Sequence, residues 1–166
     1  MEDRGLINCK TFFGICQVSA IILSMVFICS HCGKKVSYKR IIGTEHRNHC
    51  PFCLWSQHED LEISGDRKSN CHGPMKPIGL TFKKEGFDKY GNPRQGELMV
   101  IHQCQECGQI SINRLAADDD TQMVLKIFAN YKNLNEETLN RLKVEGIGLL
   151  TEKDKNEVMT QLFGKV

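Results

Sequence analysis

Two Cys-x-x-Cys pairs, Cys29 with Cys32 and Cys50 with Cys53, constrain this chain more than any other feature. Cys32 and Cys50 stand 18 positions apart, the usual interval in a four-thiolate zinc site. Each pair closes a tight turn that aims two sulfurs at one point, and the chain between them returns as a short hairpin. Zinc takes four such ligands in a tetrahedron, at about 2.3 Å from each sulfur. The spacing is specific for a metal and says little about an activity.

The chain holds nine cysteines, and six of them fall in three such pairs, the third being Cys104 with Cys107. A disulfide framework favours even, dispersed cysteines, so paired knuckles speak for thiolate–metal bonds in a reducing compartment such as the cytoplasm. A thiol–disulfide catalyst needs its reactive pair at a helix start, and none of these pairs opens a helical pattern. Glycine follows two of them, at Gly33 and Gly108, where it lets the backbone swing past the sulfurs.

A second zinc site is expected from Cys71, Cys104 and Cys107. Ile78 to Phe82 reads as a strand, 86–96 as a Gly/Pro/Asn-rich turn, and Glu97 to His102 as the return strand that carries the third pair back towards Cys71. The fourth ligand has two equal candidates. His102 lies two residues before Cys104 and shares its face of a strand, whereas His58 closes the site from the loop side. His72 ranks third, being awkwardly close to Cys71. Two zinc ions are expected in all.

These observations predict a small α+β fold: two zinc-knuckle and β-hairpin units, zinc-ribbon-like, followed by a short helical tail. Residues 25–120 form the zinc-binding domain and residues 121–166 the tail. The tail shows helical period, with Met123, Val124, Ile127, Phe128 and Tyr131 on one face, Asn135 capping a second helix and Thr151 opening a third. Its apolar surface is too small to stand alone, so it packs on the ribbons or on a partner. Residues 1–24 are apolar from Phe12 onward, yet too short for a comfortable membrane span of about 20 residues, and MEDRGL lacks the positive start of a secretory signal. Met25 is the expected start of the domain, the preceding residues an extension, and a membrane tether the minority reading. Cys9 and Cys16 in that extension have no partner at ligand spacing.

Charge is nearly balanced at +2, so bulk electrostatics do not demand a nucleic-acid partner. Its distribution is uneven. From Cys29 to His58, Lys34, Lys35, Lys39, Arg40 and Arg47 face only Glu45, a local +4, whereas from Leu115 onward nine acids face seven bases. A basic finger beside an acidic tail fits contact with a polyanion, although a solvated face with uneven charge accounts for the same counts. Trp55, next to a knuckle, covers the metal site or stacks on a base.

Taken together, Cys29-x-x-Cys32-Gly33, His46-Arg47-Asn48-His49-Cys50-Pro51 with Cys53-Leu54-Trp55-Ser56 and His58, Gly65-Asp66-Arg67, Cys71-x-Gly73-x-Met75-x-Pro77, Gly96-Glu97, His102-x-Cys104-x-x-Cys107-Gly108, and Asn113-Arg114 with Asp118-Asp119 resemble the RNHCP domain family. The likeness runs from about Phe27 to Asp120. It implies a small zinc-ribbon-like domain without an established activity. At position 72 the family pattern reads Cys-Gly-Gly, and His72 departs from it.

Three functions stay open at this level. The first is a zinc-stapled, non-enzymatic module binding RNA or a ribonucleoprotein, on or near the ribosome or another translation component. It would use Lys34, Lys35, Lys39, Arg40, Arg47, Trp55, Arg67 and Arg114. The second is a regulatory adaptor docking a protein through the helical tail. The third and least favoured is a zinc enzyme with one open metal position and His49, His58 or Asp66 as acid–base group. No small-molecule substrate is evident, and a membrane partner is not expected.

Overall fold

The computed structural model describes residues 26–37, 48–63 and 65–164. Its first two strands, β1 (Val26–Ile28) and β2 (Lys35–Ser37), pair antiparallel around the Cys29–Cys32 turn. A four-stranded antiparallel sheet follows, in the order β3 (Ser56–Gln57), β4 (Pro74–Phe82), β5 (Leu98–Cys104) and β6 (Ile110–Arg114). Helices α1 (Thr121–Ala129), α2 (Glu136–Val144) and α3 (Lys155–Phe163) complete the described chain. This is the expected small α+β fold, with two strand-and-knuckle regions and a helical C-terminal segment. The extension 1–24, with Cys9 and Cys16, lies outside the described residues. Among the described residues no helix is long and apolar enough to cross a membrane.

The three knuckles share one hydrogen-bond plan. In each, the first cysteine's N–H donates to a carbonyl five residues on, and its own carbonyl accepts from the N–H four residues on. The residue in that fourth place needs a left-handed backbone. Gly33 and Gly108 fill it at φ 69° and 75°, but in the middle knuckle Leu54 does so at φ 59°. Such a conformation costs a side-chain-bearing residue about 1–2 kcal/mol. Leu54 is fully buried in the main core, which offsets that strain. Leu54→Ala keeps the strain and loses the core contacts, whereas Leu54→Gly loses the contacts and relieves the strain. In denaturant titrations of metal-loaded protein we expect the glycine variant to be the more stable by about 1 kcal/mol, reversing the usual order of the two residues. An alanine variant more stable than the glycine one would remove this account of Leu54.

Alternation along β5 sends successive side chains to opposite faces of the sheet. Leu98 and Val100 join Leu54 and Leu80 in a cluster closed by Val124, Ile127 and Phe128 of α1, Leu150, and Val158 of α3. Ile101 joins Ile78 and Ile110 in a second cluster, closed by Leu142 of α2. The tail therefore straddles the sheet, with α1 and α3 on one face and α2 on the other. The connection from α2 to α3 passes the outer edge of β4, which the two-residue β3 covers only at Pro74 and Met75. There the Leu150 N–H donates to the Leu80 carbonyl at 2.9 Å, so a bare strand edge is protected. Gly79 leaves room there for the Leu149 side chain, since a Cβ on it would lie 2.5 Å from Leu149 Cδ1.

The helix starts follow ordinary capping chemistry. The Asp120 side chain accepts from the Gln122 and Met123 N–H groups, Asn135 accepts from Thr138, and Thr151 with Asp154 forms a reciprocal capping box. Of the two destinations open to the tail's apolar face, the sheet takes most of it. Val144, Met159 and Phe163 remain exposed.

Candidate metal centres

The first knuckle hairpin and the middle knuckle meet at a cluster of Cys29, Cys32, Cys50 and Cys53. Cys29 Sγ lies 3.5 Å from Cys53 Sγ, and Cys32 Sγ lies 3.6 Å from Cys50 Sγ. These contacts are far beyond a disulfide bond of about 2.05 Å and close to the edge of about 3.8 Å in a tetrahedron of 2.3 Å metal–sulfur bonds. Val36 is buried against the cluster, with Phe27 and Trp55 packed on it. The Trp55 ring stacks on His31 with centroids 4.0 Å apart, and Lys34 Nζ sits 4.2 Å over the Phe52 ring.

A second cluster gathers His58, Cys71, Cys104 and Cys107. Cys71 and Cys104 sulfurs are 3.6 Å apart, and His58 Nδ1 is 3.3 Å from Cys107 Sγ. The other ring nitrogen of His58, Nε2, is buried without a hydrogen-bond partner. Gly73 is required here by space, because a Cβ would lie 2.9 Å from Cys104 Sγ. Behind the third knuckle, Arg141 of α2 donates to the Gly108 carbonyl at 3.0 Å and ties the tail to this centre.

Of the three histidines weighed for the fourth position, the structure brings His58 to the thiols. His102 shares a face with Cys104 along β5, but both of its ring nitrogens are engaged away from the sulfurs, and it is not among the four residues of the cluster. His102 is instead a buried clamp. Its Nε2–H donates to the Leu54 carbonyl at 2.6 Å, and its Nδ1 accepts from Asn113 Nδ2 at 3.0 Å. Burial, and the neighbouring His49, hold its pKa down at about 3, so the ring is neutral. His72 is exposed, 3.2 Å from a Glu59 carboxylate.

This geometry separates two variants. His58→Ala should lower bound metal by one ion per chain, read by elemental analysis after dialysis. His102→Ala should leave both ions in place and destabilise the fold by roughly 2–6 kcal/mol, since each buried partner left unpaired costs about 1–3 kcal/mol. Loss of metal from the His102 variant while still folded would reverse the assignment.

The electrostatics of both clusters call for a cation. Burial opposes ionisation at Cys32 and at Cys104. Even so, backbone N–H groups (Lys34 for Cys32; Cys107 and Glu106 for Cys104) and neighbouring thiols bring each to about 7. Burial pushes Cys50 and Cys53 up. At Cys71 the Gly73 N–H favours the thiolate, but burial and the nearby sulfurs prevail and raise it. The thiols pushed up, Cys50, Cys53 and Cys71, would ionise beside their neighbours only with a counter-ion among the sulfurs. A divalent metal held by these residues would supply it, with release of thiol protons. Both donor sets, four thiolates in the first cluster and three thiolates with one imidazole in the second, fit zinc.

The residues around the middle knuckle hold it in place. Asn48 Nδ2 donates to Asp60, His49 Nε2 lies 2.8 Å from Asp119 Oδ2, and the Pro51 carbonyl accepts from the Asp120 N–H. Asp60 also accepts from the Gly65 and Arg67 N–H groups. Asp66 gathers the N–H groups of Leu61, Glu62, Ile63 and Lys68, which depress its pKa well below the carboxylate range. His49, His58 and Asp66 are thus occupied in holding ligand loops or in the metal cluster itself.

The residues expected to meet nucleic acid are dispersed. Lys34 and Lys35 are exposed beside the first centre. Arg67 Nε lies 4.0 Å from Asp60, and Arg114 Nε lies 2.7 Å from Glu97, so both guanidinium groups face carboxylates. Lys39, Arg40 and Arg47 lie outside the described residues. Two cations that sequence reasoning passed over, Lys76 and Lys126, line a groove with Trp55. They are 50 positions apart in the chain, and no local pattern joins them.

Comparison with curated proteins and with solved structures finds no match. The profile described as the RNHCP domain matches residues 24–125, more than half of the chain. With its three knuckles and its two four-ligand clusters inside the matched residues, the chain belongs to the RNHCP domain family.

Proposed function

We propose that this chain is a zinc-stapled, non-enzymatic binding module for RNA, acting on or near the ribosome or another translation component. The observation that carries this reading is an aromatic and basic surface built directly on a closed metal centre. Trp55 and His31 are stacked beside Cys53, with exposed Lys34 and Lys35 on the adjoining hairpin. Stacked aromatics with nearby cations are what single-stranded RNA readers use, bases on rings and phosphates on lysines. Each cluster offers four protein ligands, the full complement of a tetrahedral structural zinc. That supports a stapling role over an open catalytic position. Thiolates in such numbers favour a reducing compartment, the cytoplasm.

The adaptor reading has less to stand on, because most of the tail's apolar face covers the sheet. The test is fluorescence anisotropy of labelled oligoribonucleotides with the zinc-loaded chain across a salt series. We expect binding that weakens with a log–log slope of about −0.7 per phosphate contacted. No binding at low ionic strength, together with no co-sedimentation with ribosomal particles, would end the proposal.

A further inference from the structure

We infer that a single-stranded nucleic acid is held in the groove between the first centre and α1, its bases against the Trp55–His31 stack and its phosphates on Lys76 and Lys126. This deepens the RNA reading above and rests on it. The groove has a volume of about 270 Å³, and its lining contains no Asp or Glu. Four separate pieces of the fold converge there. His31 comes from the first knuckle, Trp55 from the exit of the second, Lys76 from β4 and Lys126 from the last turn of α1.

The two lysines differ in their surroundings from the cations of this surface that are held in ion pairs. Arg67, Arg114, Arg141, Lys83 and Lys155 each face a carboxylate. Among the described residues Lys76 and Lys126 have no acidic partner, and both are exposed. Free ammonium groups flanking an aromatic pair form a charged trough with a stacking platform, which suits a flexible polyanion whose bases are unpaired. Proline, methionine and isoleucine complete the lining at Pro77, Met123 and Ile127, and they give base faces further apolar contact. A duplex would bury its bases in its own stack and could use only the lysines.

Trp55 is the sole tryptophan, so its fluorescence reports on this groove. The zinc-loaded full chain is titrated with a decamer of uridine, a decamer of thymidine, a hairpin-free RNA duplex and polyglutamate. Expected are quenching of Trp55 by both single strands and tighter binding to them than to the duplex. The pair Lys76→Glu and Lys126→Glu should weaken single-strand binding at least ten-fold. The equal charge change Lys89→Glu with Lys143→Glu, on exposed residues outside the groove, should weaken it far less. Trp55→Ala should cost about ten-fold as well, in the range of one base stack, with zinc content checked to show that the fold persists. If oligonucleotides bind but Trp55 does not respond and the two charge-reversed proteins behave alike, the groove is overturned while the RNA reading stands. If no oligonucleotide binds, both fall. Binding of polyglutamate alone would replace the nucleic acid with an acidic protein segment and overturn the inference.

Discussion

Cys50→Ser should cost the chain its first metal ion and the structure around it. Cys50 is fully buried, and its sulfur lies 3.6 Å from that of Cys32. A serine hydroxyl is a poor substitute for a thiolate, so three sulfurs remain around a metal that takes four ligands. A structural zinc contributes about 10–16 kcal/mol in finger peptides, as much as the whole net stability of a typical domain at about 5–15 kcal/mol. The β1–β2 hairpin has little else to hold it, since only Val36 is buried there apart from Cys29. Bound metal should fall from two ions towards one, and the stacked Trp55 should shift its emission towards that of an exposed indole. The Cys71, Cys104 and Cys107 cluster lies on the other knuckle and should keep its ion. Retention of both ions would remove Cys50 from the first centre.

The second large effect concerns the tail. A chain ending at Asp120 should fail to fold its four-stranded sheet, even with metal supplied. Val124, Ile127, Phe128, Leu142, Leu150 and Val158 are all buried and would be lost. At about 1.5–3 kcal/mol for each fully buried side chain, their sum exceeds the net stability of most domains. Both faces of β5 would be bared at once, together with the β4 edge that Leu150 covers. The expected product is an aggregating chain without cooperative unfolding. A soluble truncated protein with both metals bound and a sharp melting transition would show that the tail is an appendage and not part of the core.

What could be read from the sequence was local. Cys-x-x-Cys spacing, the glycines after the first and third knuckles, the β4–β5 hairpin and the caps at Asn135 and Thr151 are all set by neighbours within a few residues. Where the structure departs from easy reading, the cause is long-range. Leu54 takes a glycine's backbone conformation because its side chain reaches the main core, and a left-handed leucine leaves no sequence signal. His58 and His102 were equal candidates on paper. They part because the β5 register turns His102 towards Leu54 and Asn113, whereas the chain after β3 delivers His58 beside Cys107. The groove was invisible for the same reason, since Lys76 and Lys126 meet only when α1 settles on β4.

Whether two centres of different donor sets staple this fold is decided by loading the chain with cobalt(II) and recording its spectrum alongside total metal per chain. Two ions per chain are predicted, one in an all-thiolate environment and one bound by three thiolates and an imidazole, with His58→Ala abolishing only the mixed-donor signal. A single ion per chain, or two spectroscopically identical four-sulfur sites, would contradict the two-centre assignment.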